Sequence, residues 1–196
     1  MDTINSARIV LAGGCFWGTQ YLFRNLRGVL KTQAGYVNSE VANPTYKEVC
    51  TGRTGAAEGV EITYNATTVD LDKLLDLYFE SIDPTSVDRQ GNDRGPQYRT
   101  GIYYTSDSQR TTALKAVGRQ LKKGYSKIVV EVLPMKNFYP AEPEHQDYLF
   151  RNPDGYCHIS PRLLEKARHT SILKGEVKTK AENADTDILH AIDENG

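Results

Sequence analysis

Ala7-Arg8-Ile9-Val10-Leu11-Ala12-Gly13-Gly14-Cys15-Phe16-Trp17-Gly18 is the stretch from which the fold can be read. Residues 7–11 are a short apolar run, and a glycine pair closes it. Such a run reads as a buried strand entering a tight turn. Tyr21, Leu22 and Leu26 then recur at helical spacing, and Gly28 fits the stop of that helix. Residues 29–36 read as a second strand. Residues 38–55, with Asn43-Pro44 in the middle, read as a surface loop folded over something. From 58 to 64 the chain alternates, with Val60, Ile62 and Tyr64 on one face, as a strand does. Asp70 is placed to cap a helix carrying Leu71, Leu74, Leu75, Tyr78, Phe79 and Ile82 on its apolar stripe. A second loop over 87–98, a strand over 101–105, a helix over 108–123 and a strand over 128–133 follow.

The order β-α-β-β-α-β, then α-β, predicts an α+β fold. Its first six elements match a ferredoxin-like split βαβ core: a two-layer sandwich with helices on one face of a mostly antiparallel sheet. Residues 137–160 hold Pro140, Pro143, Pro153 and Gly155 and predict a long irregular C-terminal region. A single catalytic domain is expected over 1–172. Residues 174–196 carry three Lys and six Asp or Glu, so 173–196 reads as a polar, acidic extension.

Composition excludes several classes. With 25% charged residues and a formal net charge of −1, no strong field draws the chain to nucleic acid or acidic lipid. No stretch approaches the roughly 18 apolar residues that span a membrane. The first ten residues hold no apolar run of signal-peptide length. The expected compartment is therefore cytoplasmic. Three cysteines, Cys15, Cys50 and Cys157, are too few and odd in number for a disulfide framework. His145, His158, His169 and His190 make no zinc-like spacing with them, and no metal is expected.

The first cysteine has a physical advantage. Unpaired backbone N–H groups and the positive end of a helix dipole stabilise a thiolate at a helix start. Such placement can lower a thiol pKa from about 8.5 to as low as ~3.5. An arbitrary free cysteine is more often buried and inert. Here Phe16 and Trp17 stand beside the sulfur as apolar walls, and adjacent aromatics after a glycine turn are costly to expose without purpose.

The string Gly14-Cys15-Phe16-Trp17-Gly18 resembles the signature of the A-type peptide methionine sulfoxide reductases. The similarity continues through Ala34-Gly35-Tyr36, Asn43-Pro44-Thr45-Tyr46, Thr54-Gly55 with Ala57-Glu58, Asp83-Pro84, Gln90-Gly91-Asn92-Asp93 with Gln97-Tyr98-Arg99, and Glu144-His145-Gln146-Asp147-Tyr148. It covers about residues 8–160. The resemblance implies thiol-dependent reduction of methionine S-sulfoxide, free or in proteins, with Cys15 as nucleophile and without a bound cofactor. Sulfoxide reduction needs a sulfur nucleophile and a donor for the oxygen. A carboxylic acid kept neutral by burial can donate, as can phenol hydroxyls. By the resemblance Glu58 is that acid, with Tyr46 and Tyr98 beside it and Asp93 orienting neighbours. Taken alone, Glu58 is an ordinary solvated strand-end charge, the two tyrosines are loop residues covering a core, and Asp93 is a turn residue. Phe16 and Trp17 resemble the family's cage for the substrate methyl group, with Trp17 expected to be the more exposed. His145 braces the pocket.

Attack leaves Cys15 as a sulfenic acid, which condenses with a second thiol. Cys157, in the turn-rich Asp154-Gly155-Tyr156-Cys157, matches the family's first recycling cysteine. Many relatives carry another cysteine further on. None follows Cys157 here, and Arg94 stands where a His is common. The expected cycle is thus a Cys15–Cys157 disulfide reduced by thioredoxin or a similar dithiol protein. Cys50 is expected to be structural or incidental. Two other classes stay open on sequence alone: a redox sensor, which needs no oxygen-binding acid, and a peroxide-reducing thiol enzyme.

Overall fold

The computed structural model describes residues 5–175. Strand β1 (Ser6–Gly13) is the centre of a six-stranded sheet. Its residues alternate between two apolar layers: Ile9 and Leu11 join the main core, and Val10 and Ala12 a smaller cluster with Val37, Ala57 and Tyr103. A strand covered on both faces has no need of polar alternation, which is why 9–12 is unbroken hydrocarbon.

Helix α1 (Phe16–Arg24) leaves the turn after β1. Strands β2 (Val29–Val37) and β3 (Ala57–Asn65) follow, with α2 (Tyr46–Cys50) between them. The expected loop over 38–55 therefore contains a helix. Its start is fixed by a capping box: the Thr45 hydroxyl accepts the Glu48 N–H, and the Glu48 carboxylate accepts the Thr45 N–H at 2.8 Å. Helix α3 (Leu71–Glu80) begins where Asp70 accepts the Asp72 N–H, as the sequence predicts. The second expected loop folds into a two-residue hairpin, β4 (Arg89–Gln90) and β5 (Asp93–Arg94), and a single 3-10 turn, Pro96–Tyr98. Then come β6 (Thr100–Tyr104), α4 (Asp107–Lys122), β7 (Glu131–Pro134), β8 (Phe138–Pro140), α5 (Tyr148–Arg151) and α6 (Pro161–His169).

The sheet order is β7-β6-β1-β3-β2-β8. The pairings β1–β3, β1–β6, β2–β3 and β2–β8 are antiparallel, whereas β6–β7 is parallel. The sheet is therefore mixed, four antiparallel pairings and one parallel, and the parallel β7 is the feature the sequence reading did not anticipate. The reason is α4, which carries the chain back along the sheet so that β7 enters in the direction of β6. Nor is 137–160 wholly irregular: β8 extends the sheet beyond β2, and α6 follows, with Pro161 in its first turn and Ser160 accepting the Leu163 N–H. Ile172 is fully buried, and Leu173 bridges to Val69. The rest of the expected acidic extension, from residue 176, lies outside the described residues. Among the described residues no helix is long and apolar enough to cross a membrane.

Register places the site. Leu11 pairs with Val60, so the end of β1 meets the start of β3, and Tyr36 pairs with Glu58. The Tyr78 hydroxyl of α3 donates to the Ala12 carbonyl at 2.8 Å and pins that end of β1.

Candidate active site

Cys15 caps the N-terminus of α1, as the glycine turn predicts. Gly14 takes φ +84°, and a Cβ there would stand 2.5 Å from the Cβ of Gln90, so only glycine lets the 83–90 loop close over the turn. Gln90 clamps that loop, donating to the Asp83 carbonyl and accepting the Asp83 N–H, both at 2.8 Å. The acidity expected of Cys15 is not what the site produces. Its side chain is only 8% exposed; burial first, then the charge of Glu58, hold the thiol well above its usual range, and the Trp17 N–H only partly offsets them. Desolvation of the sulfur outweighs the helix start.

Glu58, second residue of β3, is 1% exposed. Burial raises its pKa to about 8, against the Phe16 N–H, which donates to Oε2 at 3.2 Å, and with help from the charge of Asp93. At neutral pH it is a carboxylic acid. Its Oε1 is buried without a hydrogen-bond partner. A buried carboxyl oxygen left unpaired costs free energy unless something arrives to use it. Tyr46, at the start of α2, and Tyr98, at the end of the 3-10 turn, both feel the Glu58 charge, and the Tyr46 hydroxyl only partly offsets its effect on Tyr98. Burial first and Glu58 second push both phenols up, so both remain protonated donors. One strand residue, one helix residue and one turn residue thus converge on the Cys15 end of β1.

The apolar side of the site is aromatic. The His145 ring lies 5.4 Å from Phe16, 5.9 Å from Trp17 and 4.5 Å from Tyr46, centroid to centroid. It also accepts the Trp17 indole N–H on Nδ1 at 3.3 Å. Trp17 stacks on Tyr148 at 3.8 Å. Phe16 is fully buried and Trp17 half-buried, the expected order of exposure. Glu142 ties this wall to the acid's neighbours: it accepts the Tyr36 hydroxyl at 2.6 Å and the Tyr46 N–H at 2.7 Å.

The segment with Cys157 lies across the start of α1. A Cβ on Gly18 would stand 3.1 Å from the Cys157 sulfur and 3.2 Å from the His158 ring. The Tyr156 hydroxyl donates to Asp93 at 2.9 Å. Asp93 therefore does join the site, between Glu58, whose acidity it weakens, and the Cys157 segment. All three cysteines are free thiols, and Cys50 is exposed beside Tyr46. Among the described residues no group of three or more His, Cys, Asp or Glu is placed to hold a metal ion.

A model of the family described as peptide methionine sulfoxide reductase matches residues 7–176. The chain belongs to that family. Among its relatives, the protein of Clostridium acetobutylicum named peptide methionine sulfoxide reductase MsrA is 48% identical over 159 residues, covering 81% of this chain and 98% of that protein. The one from Mycoplasma pneumoniae, of the same name, is 50% identical over 153 residues, covering 78% and 97%. Of solved structures, Mxr1 from Saccharomyces cerevisiae in reduced form is 36% identical with a TM-score of 0.76, covering 81% of this chain and 93% of that one. Mxr1 in complex with Trx2 is 28% identical with a TM-score of 0.53, covering 75% and 87%.

For this methionine sulfoxide reductase family member, the structure brings together every site residue read from the sequence: Cys15, Glu58, Tyr46, Tyr98, Asp93, Phe16, Trp17, His145 and Cys157. Sequence reasoning missed Glu142, whose only signal is its place beside Pro143, and gave no role to Tyr36 or Tyr148. It also passed over Gln146, which ties strand to turn by accepting the Ala34 N–H at 2.9 Å and donating to the Ala34 and Ala141 carbonyls. His158 was set aside as a zinc ligand and given nothing else.

Proposed function

We propose that this protein reduces methionine S-sulfoxide, free or in oxidised proteins, to methionine. Cys15 is the nucleophile and Glu58 the proton donor. The observation that carries this reading is a neutral buried carboxyl with one unpaired oxygen, beside a buried thiol and two protonated phenols. A substrate oxygen placed among Glu58, Tyr46 and Tyr98 is hydrogen-bonded as it gains charge. The Cys15 sulfur attacks the sulfoxide sulfur, the substrate S–O bond breaks as the oxygen ends on Cys15, and two electrons pass from Cys15 to the substrate. Glu58 supplies the proton to the oxygen and regains the one the thiol loses. The products are methionine and Cys15 sulfenic acid. The substrate methyl rests against Phe16 and Trp17, held by His145.

Cys157 then condenses with the sulfenic acid, releasing water and leaving a disulfide that thioredoxin or a similar dithiol protein reduces. The yeast relative's complex with Trx2 supports this reductant. The role is protein repair after oxidative damage. We read the frame as a ferredoxin-like core, supported by the order β6-β1-β3-β2 and its antiparallel pairings. A redox sensor would not need the acid and phenol pair, so the oxygen-binding group favours the enzyme.

The test is a single turnover of reduced protein with each sulfoxide epimer and no recycling reductant. One methionine per protein is expected from one epimer only. Methionine from Cys15→Ser would overturn the nucleophile.

A further inference from the structure

Among the described residues, five besides Glu58 and His158 have a buried side-chain atom with no hydrogen-bond partner: Thr32, Gln97, Thr100, Gln120 and Asp147. Three titratable groups appear in this set: Asp147, Glu58 and His158. Asp147 is paired with Arg24. Glu58 is used by the first chemical step. His158 remains: both ring nitrogens are buried without a well-formed hydrogen bond, and the Gly13 carbonyl lies near enough only to favour the charged ring. An imidazole so weakly held is a poor structural element.

Its position says what it could serve. Nδ1 and the Cys157 sulfur both lie within about 3.2 Å of one point, the Cβ that Gly18 lacks. Nε2 lies 3.4 Å from the corresponding point on Gly14, the residue before Cys15. The side chain's own Cβ packs over Gly91. Three glycines therefore make room for the ring, which spans from the Cys157 thiol to the turn that holds Cys15. Asp93, held by the Tyr156 hydroxyl, acts on the ring electrostatically; the Cys157 sulfur shares the space over Gly18 with it, and Cys15 follows Gly14 at its Nε2 end.

We infer that His158 is the acid–base group of the disulfide-forming step, taking the proton of the Cys157 thiol and delivering it to the departing oxygen of Cys15 sulfenic acid. This rests on the assignment of Cys15 as nucleophile and Cys157 as resolving thiol. The Cys157 sulfur attacks the Cys15 sulfur, the S–O bond breaks, and hydroxide leaves. The imidazole holds the thiol proton and passes it to that hydroxide, so the products are a disulfide and water, and His158 ends neutral. Two further features agree. Burial raises the Cys157 thiol, so it needs a base. Burial also lowers the His158 pKa, against the Gly13 carbonyl and Asp93, so the ring is neutral and able to accept.

The test uses the full chain, fully reduced, mixed with methionine sulfoxide without a reductant. Methionine release and Cys15–Cys157 disulfide are followed separately by quenching and mass spectrometry. In His158→Gln and His158→Ala, disulfide formation is expected to slow about a hundredfold more than methionine release. In the variants its rate should climb with pH as the Cys157 thiol ionises unaided, and imidazole in the buffer should restore part of it to His158→Ala. Disulfide formation that keeps pace with methionine release in both variants overturns the proposal, as does equal slowing of the two steps. A wild-type protein that releases methionine yet forms no such disulfide overturns the resolver assignment, and the proposal with it.

Discussion

Glu58 shows how one buried group couples chemistry to stability. Unfolded, it would titrate near its ordinary 4.5; folded, it keeps its proton to about 8. Between those values the folded state binds the extra proton, so unfolding free energy falls as pH rises through the window. The contribution is whole below about 4.5 and lost by about 8. At about 1.4 kcal/mol for each pH unit crossed, this reaches a few kcal/mol. Glu58→Gln has no such proton, so its stability relative to wild type is expected to climb between pH 5 and about 8. Urea unfolding across that range checks it, and a constant difference would contradict it. At this scale the sequence yielded the residues and only part of their chemistry. Cys15 and Glu58 stand in recognisable strings, but the direction of the Cys15 thiol depends on how completely Phe16, Trp17 and the 83–90 loop exclude water. That is a property of packing between distant segments, and no local pattern encodes it.

The elements around the site act as spacers. Gly18 is a helix residue whose cost in α1 is roughly 1 kcal/mol relative to Ala. It is tolerated because a Cβ would press on the Cys157 sulfur and the His158 ring. Gly18→Ala is therefore expected to slow disulfide formation severalfold more than methionine release, while thermal stability holds or rises. A calorimetric scan beside a single-turnover measurement separates the two effects, and equal rates for both steps would contradict the spacer role. Most elements were legible from period and caps: β3 from its alternation and α3 from Asp70 and its apolar stripe. Helix α2 was legible but unread, since Thr45 and Glu48 stand at capping-box spacing. Strand β8 was not legible. Phe138-Tyr139-Pro140 is short and ends in proline, and only the open edge of β2 makes it a strand.

Over the whole molecule, sequence-distant pieces close the sheet. Segment 170–174 lies along the turn between β3 and α3: the Asp70 N–H donates to the Ile172 carbonyl at 2.7 Å and the Lys174 N–H to the Thr68 carbonyl at 2.7 Å. With Ile172 fully buried, Ile172→Ala is expected to cost about 2–5 kcal/mol in denaturant unfolding. Loss of less than about 0.5 kcal/mol, the range of ordinary surface changes, would contradict that docking. Removing residues 176–196 is expected to leave methionine release in place. Neither the parallel entry of β7 nor this docking follows from hydropathy period, because each depends on which edge is free when the segment arrives.

The central claim is that Cys15 attacks while a neutral Glu58 gives its proton to the substrate oxygen, and the rate of the methionine burst against pH tests it most directly. In wild type the burst should fall as pH rises through about 8, because Glu58 loses the proton it donates and its new charge further disfavours the Cys15 thiolate. Glu58→Gln should be slower by at least about a hundredfold at neutral pH and lack that decline. A variant burst equal to wild type at every pH would contradict the account.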